Sequence, residues 1–315
     1  MDHALIGQAK DLPVFTPTPF LTLAPIVLPS PGRPVDLHLK VSAPTTGTRL
    51  PIILLSHGHG RSNGPLATFW ASHGFVVIQP THLSSKSLSL DPKTYPEAPL
   101  FWRSRVEDMK LIIDKLDFIE NEFPGLRGRI DKSRIAVAGH SLGAHTAGML
   151  LGAQLKDPID GKVVSMVEPR IKTGILLAPA GSGESLHAAA KSNPAYSALW
   201  GPIFTEMRTP ALMVVGDNDI SAHFTERGAD WHADPYFLSE GKKSLLSLSG
   251  GEHGLGGIAG WDAGETTDES VEMVEVVRRM TVAYLRSELY PEDKAWEEAC
   301  QALGSLGAIG KVESK

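Results

Sequence analysis

Six short apolar runs, each separated from the next by a helical or loop-like stretch, restrict this chain more than any other feature. "LPIILLS", ending at Ser56, is followed by "FVVIQP", "RIAVAG", "GILLAP", "ALMVVG" and "KSLLSLSG". Each is long enough for one strand and apolar on both faces. Such strands belong inside a parallel sheet covered on both sides. The covering helices are legible between them. "GPLATFWASHG" is a short helix stopped by Gly74. "FWRSRVEDMKLIIDKLDFIENEF" repeats Val106, Met109, Ile112, Ile113, Leu116 and Ile119 at helical spacing. "LGAHTAGMLLGAQL" is a third helix, and "DESVEMVEVVRRMTVAYLRSEL" a long one that opens on acidic residues, as its dipole favours. The expected class is α/β, with a mostly parallel central sheet and helices on both faces.

The N-terminal part has another rhythm. "FLTLAPIVLP" and "VDLHLKVSA" flank the turn "SPGRP", which reads as an antiparallel hairpin added to the sheet. Two stretches, about 155–172 and 181–207, break the alternation and are expected to be insertions forming a small cap over the C-terminal edge of the sheet. The whole of 1–315 is read as one domain with its core at 20–290. The Gly/Ser/Lys-rich stretch 304–315 is expected to fray.

Composition excludes several function classes. With a formal net charge of −6 and no basic block longer than Arg278-Arg279, a nucleic-acid surface is not expected. No run of about 18 apolar residues exists, so no membrane span is expected. The N-terminus lacks a basic segment followed by a long apolar one, so no secretory signal is expected and the cytoplasm is the expected location. The single cysteine, Cys300, allows no intrachain disulfide and reads as a structural thiol. Nothing here sets an oligomeric state.

The segment "RIAVAGHSLGAHTAG" carries the chemistry. Gly139-His140-Ser141-Leu142-Gly143 is G-x-S-x-G after a predicted strand and before a predicted helix, the context that the motif requires. Side chains at 139 and 143 would collide with neighbouring backbone in so sharp a turn. Ser141 Oγ then projects above the strand ends, and the Leu142 amide points where an oxyanion would form, at a helix N-terminus that favours negative charge. A serine hydroxyl is a weak nucleophile and needs a base oriented by a third group. In an open α/β sheet these partners follow in the order Ser, acid, His. After "ALMVVG" come Asp217 and Asp219; the spacing strand-Gly-x-x-Asp selects Asp219, with Asp217 left as the alternative. After "KSLLSLSG" comes His253, in a glycine-rich loop. His223 stands only four residues past Asp219, too close to reach Ser141. His140, inside the turn, reads as a packing or pocket residue. Phe101, Trp102, Trp200, Phe204 and Trp231 are candidates for an apolar substrate pocket or for simple packing.

"SHGHG", "GHSLG", "GDND" and "GEHG", spread over residues 20–290, resemble the α/β-hydrolase superfamily. "LPIILLSHGHGRSN" and "GGEHGLGGIAGWDAGETTDES" look like its predicted dienelactone-hydrolase and platelet-activating-factor-acetylhydrolase-like branch, and more distantly like chlorophyllases and polyester hydrolases. Dienelactone hydrolases use a cysteine nucleophile; Ser141 departs from that pattern. The resemblance implies a serine carboxylesterase acting on a small-molecule ester with an apolar part, and no cofactor. It also assigns "SHGHG" a role. The backbone N–H of His59 would be the second oxyanion donor beside that of Leu142, with Gly58 and Gly60 letting the loop approach the substrate. His57-x-His59 is also a metal-ligand spacing, but Arg61 and Ser62 stand where a His-x-His-x-Asp-His site continues, so no metal is expected and His57 is read as a loop brace. A thioesterase, lactonase or amidase would use the same residues. A catalytically silent ligand-binding homologue would keep the fold alone.

Overall fold

The structure is a computed structural model that describes residues 5–59, 63–90, 101–260 and 266–315. In chain order the elements are β1 (Phe20–Leu28), β2 (Leu37–Pro44), β3 (Leu50–Ser56), α1 (Gly64–Ser72), β4 (Val76–Pro80), α2 (Trp102–Asp114), α3 (Leu116–Glu122), β5 (Ile130–His140), α4 (Leu142–Leu150), β6 (Gln154–Lys156), β7 (Val163–Ser165), β8 (Ile171–Leu177), α5 (Ala188–Ser192), β9 (Pro202–Ile203), β10 (Ala211–Gly216), α6 (Asp234–Leu238), β11 (Lys243–Leu248), α7 (Val271–Leu289), α8 (Ala295–Leu306) and β12 (Gly310–Ser314).

Nine strands form one sheet in the order β1-β2-β4-β3-β5-β8-β10-β11-β12. β3, β4, β5, β8, β10 and β11 run parallel. β1 and β2 form the expected antiparallel hairpin, joined antiparallel to β4. The doubly apolar strands send alternate residues to two cores. Ile52, Leu54, Ile135, Val137, Met213 and Val215 face the core under α2, α3 and α4. Ile53, Leu55, Ala136, Ala138, Leu212 and Val214 face the core under α1, α7 and α8. This is why their sequences show no polar alternation: neither face meets water.

Two features differ from the sequence reading, and a third, the pairing of the insertions, adds to it. The helix expected to run unbroken through 101–123 breaks at Lys115, so that Ile112 and Ile113 of α2 and Leu116 and Ile119 of α3 reach the same core. The expected insertions are not independent of each other: β6 and β7 from the first and β9 from the second pair as a separate three-stranded antiparallel sheet. The stretch 304–315 does not fray. It ends α8, turns at Gly307 (φ +60°) and returns as β12, antiparallel to β11 from Ser244↔Ser314 to Leu248↔Gly310. Its residues alternate at an exposed sheet edge, so the strand carries no apolar run to reveal it.

The strand ends matter most for function. Ser56 pairs with Gly139, His140 with Leu177, and Gly216 with Leu248. The loops that follow β3, β5, β10 and β11 therefore leave the sheet at one edge, where ligands of open α/β sheets bind.

Candidate active site

β5 ends at His140 and α4 begins at Leu142, leaving Ser141 alone to turn the chain. Its backbone sits at φ +56°, ψ −119°, a region that a residue with a side chain occupies only under constraint. The constraint is visible at the flanking glycines. A Cβ on Gly139 would lie 2.0 Å from the carbonyl oxygen of Gly143, and one on Gly143 would lie 2.1 Å from that of Ser56. Both obstacles are backbone, which cannot step aside. The Ser141 amide bonds to the Leu177 carbonyl at 2.9 Å, fixing the turn to β8.

Three of the predicted residues meet above this turn. His253 Nε2 lies 2.9 Å from Ser141 Oγ, and its Nδ1 lies 2.9 Å from Asp219 Oδ2. A carboxylate only accepts, so Nδ1 carries the hydrogen and Nε2 is left to accept from the serine hydroxyl. Asp219 is 2% exposed. Burial works to raise its carboxyl pKa, but hydrogen bonds from His232 and His253 outweigh burial and hold it well below the usual carboxylate range.

The loops carrying Asp219 and His253 are tied together. The Asn218 amide bonds to the Gly251 carbonyl at 2.9 Å, and the Asp217 amide to that of Leu248 at 3.0 Å. Asp217, the alternative acid, is exposed and uses Oδ1 to accept from the Gly250 amide at 2.6 Å. It shapes the turn that leads to His253 and does not contact the imidazole's Nδ1. Asp268 anchors the same loop, accepting from the amides of Glu252 (2.7 Å) and Gly256 (2.9 Å). His140 donates from Nε2 to the His253 carbonyl at 2.7 Å, so it braces His253. Desolvation, then the nearby His253, lowers its pKa to about 4, which keeps it neutral.

The loop after β3 lies against the serine turn. A Cβ on Gly58 would be 3.2 Å from the His140 carbonyl oxygen and 3.6 Å from Ser141 Cβ. His59 is exposed at the loop's tip. Gly60, Arg61 and Ser62 lie outside the described residues. His57 donates from Nδ1 to the Gly58 carbonyl at 2.8 Å and accepts at Nε2 from the His82 amide at 3.3 Å. Both nitrogens are thus committed to bracing. Burial, then Arg105, lowers its pKa to about 3, consistent with a neutral ring. Opposite this loop, the Leu142 N–H heads α4, where helical amides have no partner within their own helix.

Sequence reasoning missed the support beneath this loop. Arg105 of α2 is fully buried. It donates to Thr146 Oγ1 (2.9 Å), Ser84 Oγ (2.6 Å), Ser56 Oγ (3.1 Å) and the His57 carbonyl. Behind it, Ser56 Oγ meets His82 Nε2 at 3.0 Å, and His82 Nδ1 donates to Asp108 Oδ2 at 2.8 Å. Nothing in the helical pattern around Arg105 marks an inward charge, because apolar spacing is blind to the polar residues that share a buried face. His232, on the acid's other oxygen, was missed too: "DWHADP" carries no motif.

The aromatic candidates divide. Phe101 and Trp102 are buried at the start of α2, Trp102 in the core beneath the sheet. Trp231 packs with Leu186, Ala190 and Leu199, and its Nε1 donates to the Ser182 carbonyl at 3.0 Å. Trp200 donates to the Ala190 carbonyl at 3.1 Å. Phe204 lines, with His145, Leu199 and Pro179, a cavity of about 20 Å³, room for a single water. His223 packs against Phe224 at a tilt, ring centroids 4.0 Å apart. The described residues contain one group with metal-ligand spacing, Asp219, His232 and His253. Two of its three members, Asp219 and His253, are already bonded to each other. Among the described residues no helix is long and apolar enough to cross a membrane. Neither a family model nor a curated protein matches this sequence.

Proposed function

We propose that this chain is a serine carboxylesterase of the α/β-hydrolase superfamily, of the dienelactone-hydrolase and platelet-activating-factor-acetylhydrolase-like branch, acting on a small-molecule ester. One observation carries the reading: a serine at φ +56° on a strand-to-helix turn, its Oγ 2.9 Å from an imidazole that is itself 2.9 Å from a buried carboxylate. The chain order Ser141, Asp219, His253 and the departure of all three from one sheet edge support it. The linked insertions would form the cap.

In this mechanism Ser141 Oγ attacks the ester carbonyl as its proton passes to His253 Nε2. Asp219 keeps the imidazole in its Nδ1–H tautomer and stabilises the cation that forms. The amides of His59 and Leu142 receive the tetrahedral oxyanion; a donor of this kind contributes roughly 2.7–4 kcal/mol to the transition state. The C–O bond to the alcohol breaks, and His253 returns its proton to the leaving oxygen. Water, deprotonated by His253, then opens the acyl-enzyme. The steps call on no metal.

The test is hydrolysis of p-nitrophenyl acetate, butyrate, octanoate and palmitate by the wild type and Ser141→Ala, with a chelator present. The wild type is expected to keep its rate in chelator and Ser141→Ala to lose it by on the order of 10⁴-fold or more. Equal rates in the two proteins would overturn the mechanism. Matched thioesters and amides rank the leaving groups, and a fluorophosphonate that fails to label Ser141 would point to a silent homologue.

A further inference from the structure

β12 is the last strand of the nine-stranded sheet, and among the described residues no strand lies beyond it. Its bonding to β11 shows which of its backbone groups are already used. The amides of Lys243 and Lys315 each bond to the other's carbonyl, at 3.1 and 3.0 Å, and the Ser249 amide bonds to the Ile309 carbonyl at 3.2 Å. In an antiparallel pair such bonded residues alternate with residues whose N–H and C=O point the other way. The register from Ser244↔Ser314 to Leu248↔Gly310 therefore places Lys311, Glu313 and Lys315 at bonded positions. Gly310, Val312 and Ser314 direct their amides and carbonyls out of the sheet. An open edge of this kind is a template for another strand. The opposite edge is less suited, since β1 carries Pro25 and its register on β2 shifts between Leu23 and Ile26. β12 has no proline, and its register is unbroken.

The side chains at this edge select the strand that fits it. Lys311 and Glu313 are exposed on one face of β12, with Nζ 3.0 Å from Oε1. A second β12 laid antiparallel on the first, with Val312 opposite Val312, sets Gly310 on Ser314, Val312 on Val312 and Ser314 on Gly310. In each pair both residues have outward backbone groups, so each exchanges two N–H···O=C bonds. Lys311 of one copy then falls opposite Glu313 of the other, at the positions between, where facing side chains come closest. The two-fold repeats this contact. Shifting the register so that the outward groups meet one pair further along sets Lys311 on Lys311 or Glu313 on Glu313, and like charges directly opposite are destabilising. A parallel pairing in register has the same fault. The strand is complementary to itself in one arrangement.

We propose that two copies of this chain associate about a two-fold axis through Val312, joining their sheets edge to edge, with Lys311 of each copy paired to Glu313 of the other. Such an interface is isologous, the commonest kind in homo-oligomers. Stable interfaces bury about 1,200–2,000 Å² in all, more than one short strand supplies. The neighbouring α6 supplies apolar surface. Its Phe237 and Leu238 are 59% and 47% exposed. Phe237 lines a groove of about 370 Å³ together with Lys311 and Glu313, so its ring stands on the face where the charge pairs form. The axis runs perpendicular to the sheet, so the α6 segments of both copies flank that one face. None of these residues belongs to the proposed catalytic machinery, and the dimer stands or falls independently of the esterase reading.

Sedimentation equilibrium over about 1–100 μM protein tests this, with the wild type expected to be a reversible dimer. Lys311→Glu and Glu313→Lys each set like charges opposite one another, and each is expected to raise the dissociation constant by about 10-fold or more. An equimolar mixture of these two variants sets glutamate against lysine at both positions again, so it is expected to associate as the wild type does. Val312→Pro removes an outward amide that β11 does not use, and it is expected to be monomeric. A wild type that stays monomeric across the range would overturn the proposal. A dimer equally stable in Lys311→Glu and Val312→Pro would place the contact on another face and overturn it too. Single variants that dissociate but do not recover on mixing would overturn the register. Should Val312→Pro fail to fold, the two charge variants decide alone, since both substitutions lie at exposed positions.

Discussion

Two carboxylates follow β10 two residues apart, and only geometry separates their roles. Asp219 is buried between two imidazoles, whereas Asp217 is exposed and accepts one amide bond from Gly250. Asp219→Asn would present an amide where His253 needs an acceptor for Nδ1–H, favouring the wrong tautomer. We expect kcat to fall on the order of 10⁴-fold with KM little changed. Asp217→Asn should cost less than about 1 kcal/mol of stability and leave kcat within a few-fold of the wild type. Steady-state kinetics of both variants check this; the reverse ranking would make Asp217 the acid. Both carboxylates were visible in "GDND", and strand-Gly-x-x-Asp favoured the second. Their opposite burial was not visible, because it depends on the 3-10 turn at Ala229–Ala233 folding back to place His232 on Asp219. A pair that meets only through such a return leaves no local pattern.

Among the elements, α2 does more than cover the sheet. Val106, Met109, Ile112 and Ile113 fill the core on one face, and these were legible as helical spacing. Arg105, beside them, enters the gap between β3 and α4 and holds the His57 carbonyl, Ser56 Oγ and Thr146 Oγ1 with one planar fork. Thr146 in turn donates to the Leu142 carbonyl at 3.1 Å, so the guanidinium links the two segments proposed to supply the oxyanion donors. Lysine has a single nitrogen and cannot span these partners. Arg105→Lys and Arg105→Met should therefore both lower kcat, by on the order of 10²-fold, through misplacement of the His59 amide. Fluorophosphonate labelling of Ser141 should slow in step, because that reaction forms the same kind of oxyanion. Unchanged kcat in a folded Arg105→Met would show that the loop holds its shape without the fork. The β12 strand shows the opposite failure of legibility. "GKVES" is short, with two of its five residues charged, as edge strands often are, and the features that protect an edge from aggregation also hide it from a search for apolar runs.

At the scale of the whole molecule, the doubly apolar strands made the sheet and its two cores readable, because both faces of β3, β10 and the stretch 135–139 of β5 are closed to water. The same closure traps titratable rings. His57 has its pKa lowered to about 3 by burial and then by Arg105; His140 and His145 are lowered to about 4, in each case chiefly by desolvation. The unfolded chain holds these rings near the ordinary value of 6.5. Their folded pKa values are depressed, so the unfolded state binds more protons at any pH between about 4 and 6.5. The stability that depends on keeping them neutral is complete above pH 6.5 and drains away as pH falls toward 4. His82, wholly buried, is lowered as well, by desolvation and then by Arg105. Each such ring contributes a slope of up to about 1.4 kcal/mol per pH unit. Several such rings together draw appreciably on a typical stability of about 5–15 kcal/mol. The urea midpoint, followed by tryptophan fluorescence, is thus expected to stay nearly level from pH 8 to 7 and to drop as pH falls from there toward 4. A midpoint that is flat from pH 7 to 5 would mean that water or structural relaxation reaches these rings, and the braces beneath the serine turn would then be looser than their geometry implies. A shallower slope in His145→Phe would assign the difference to that ring.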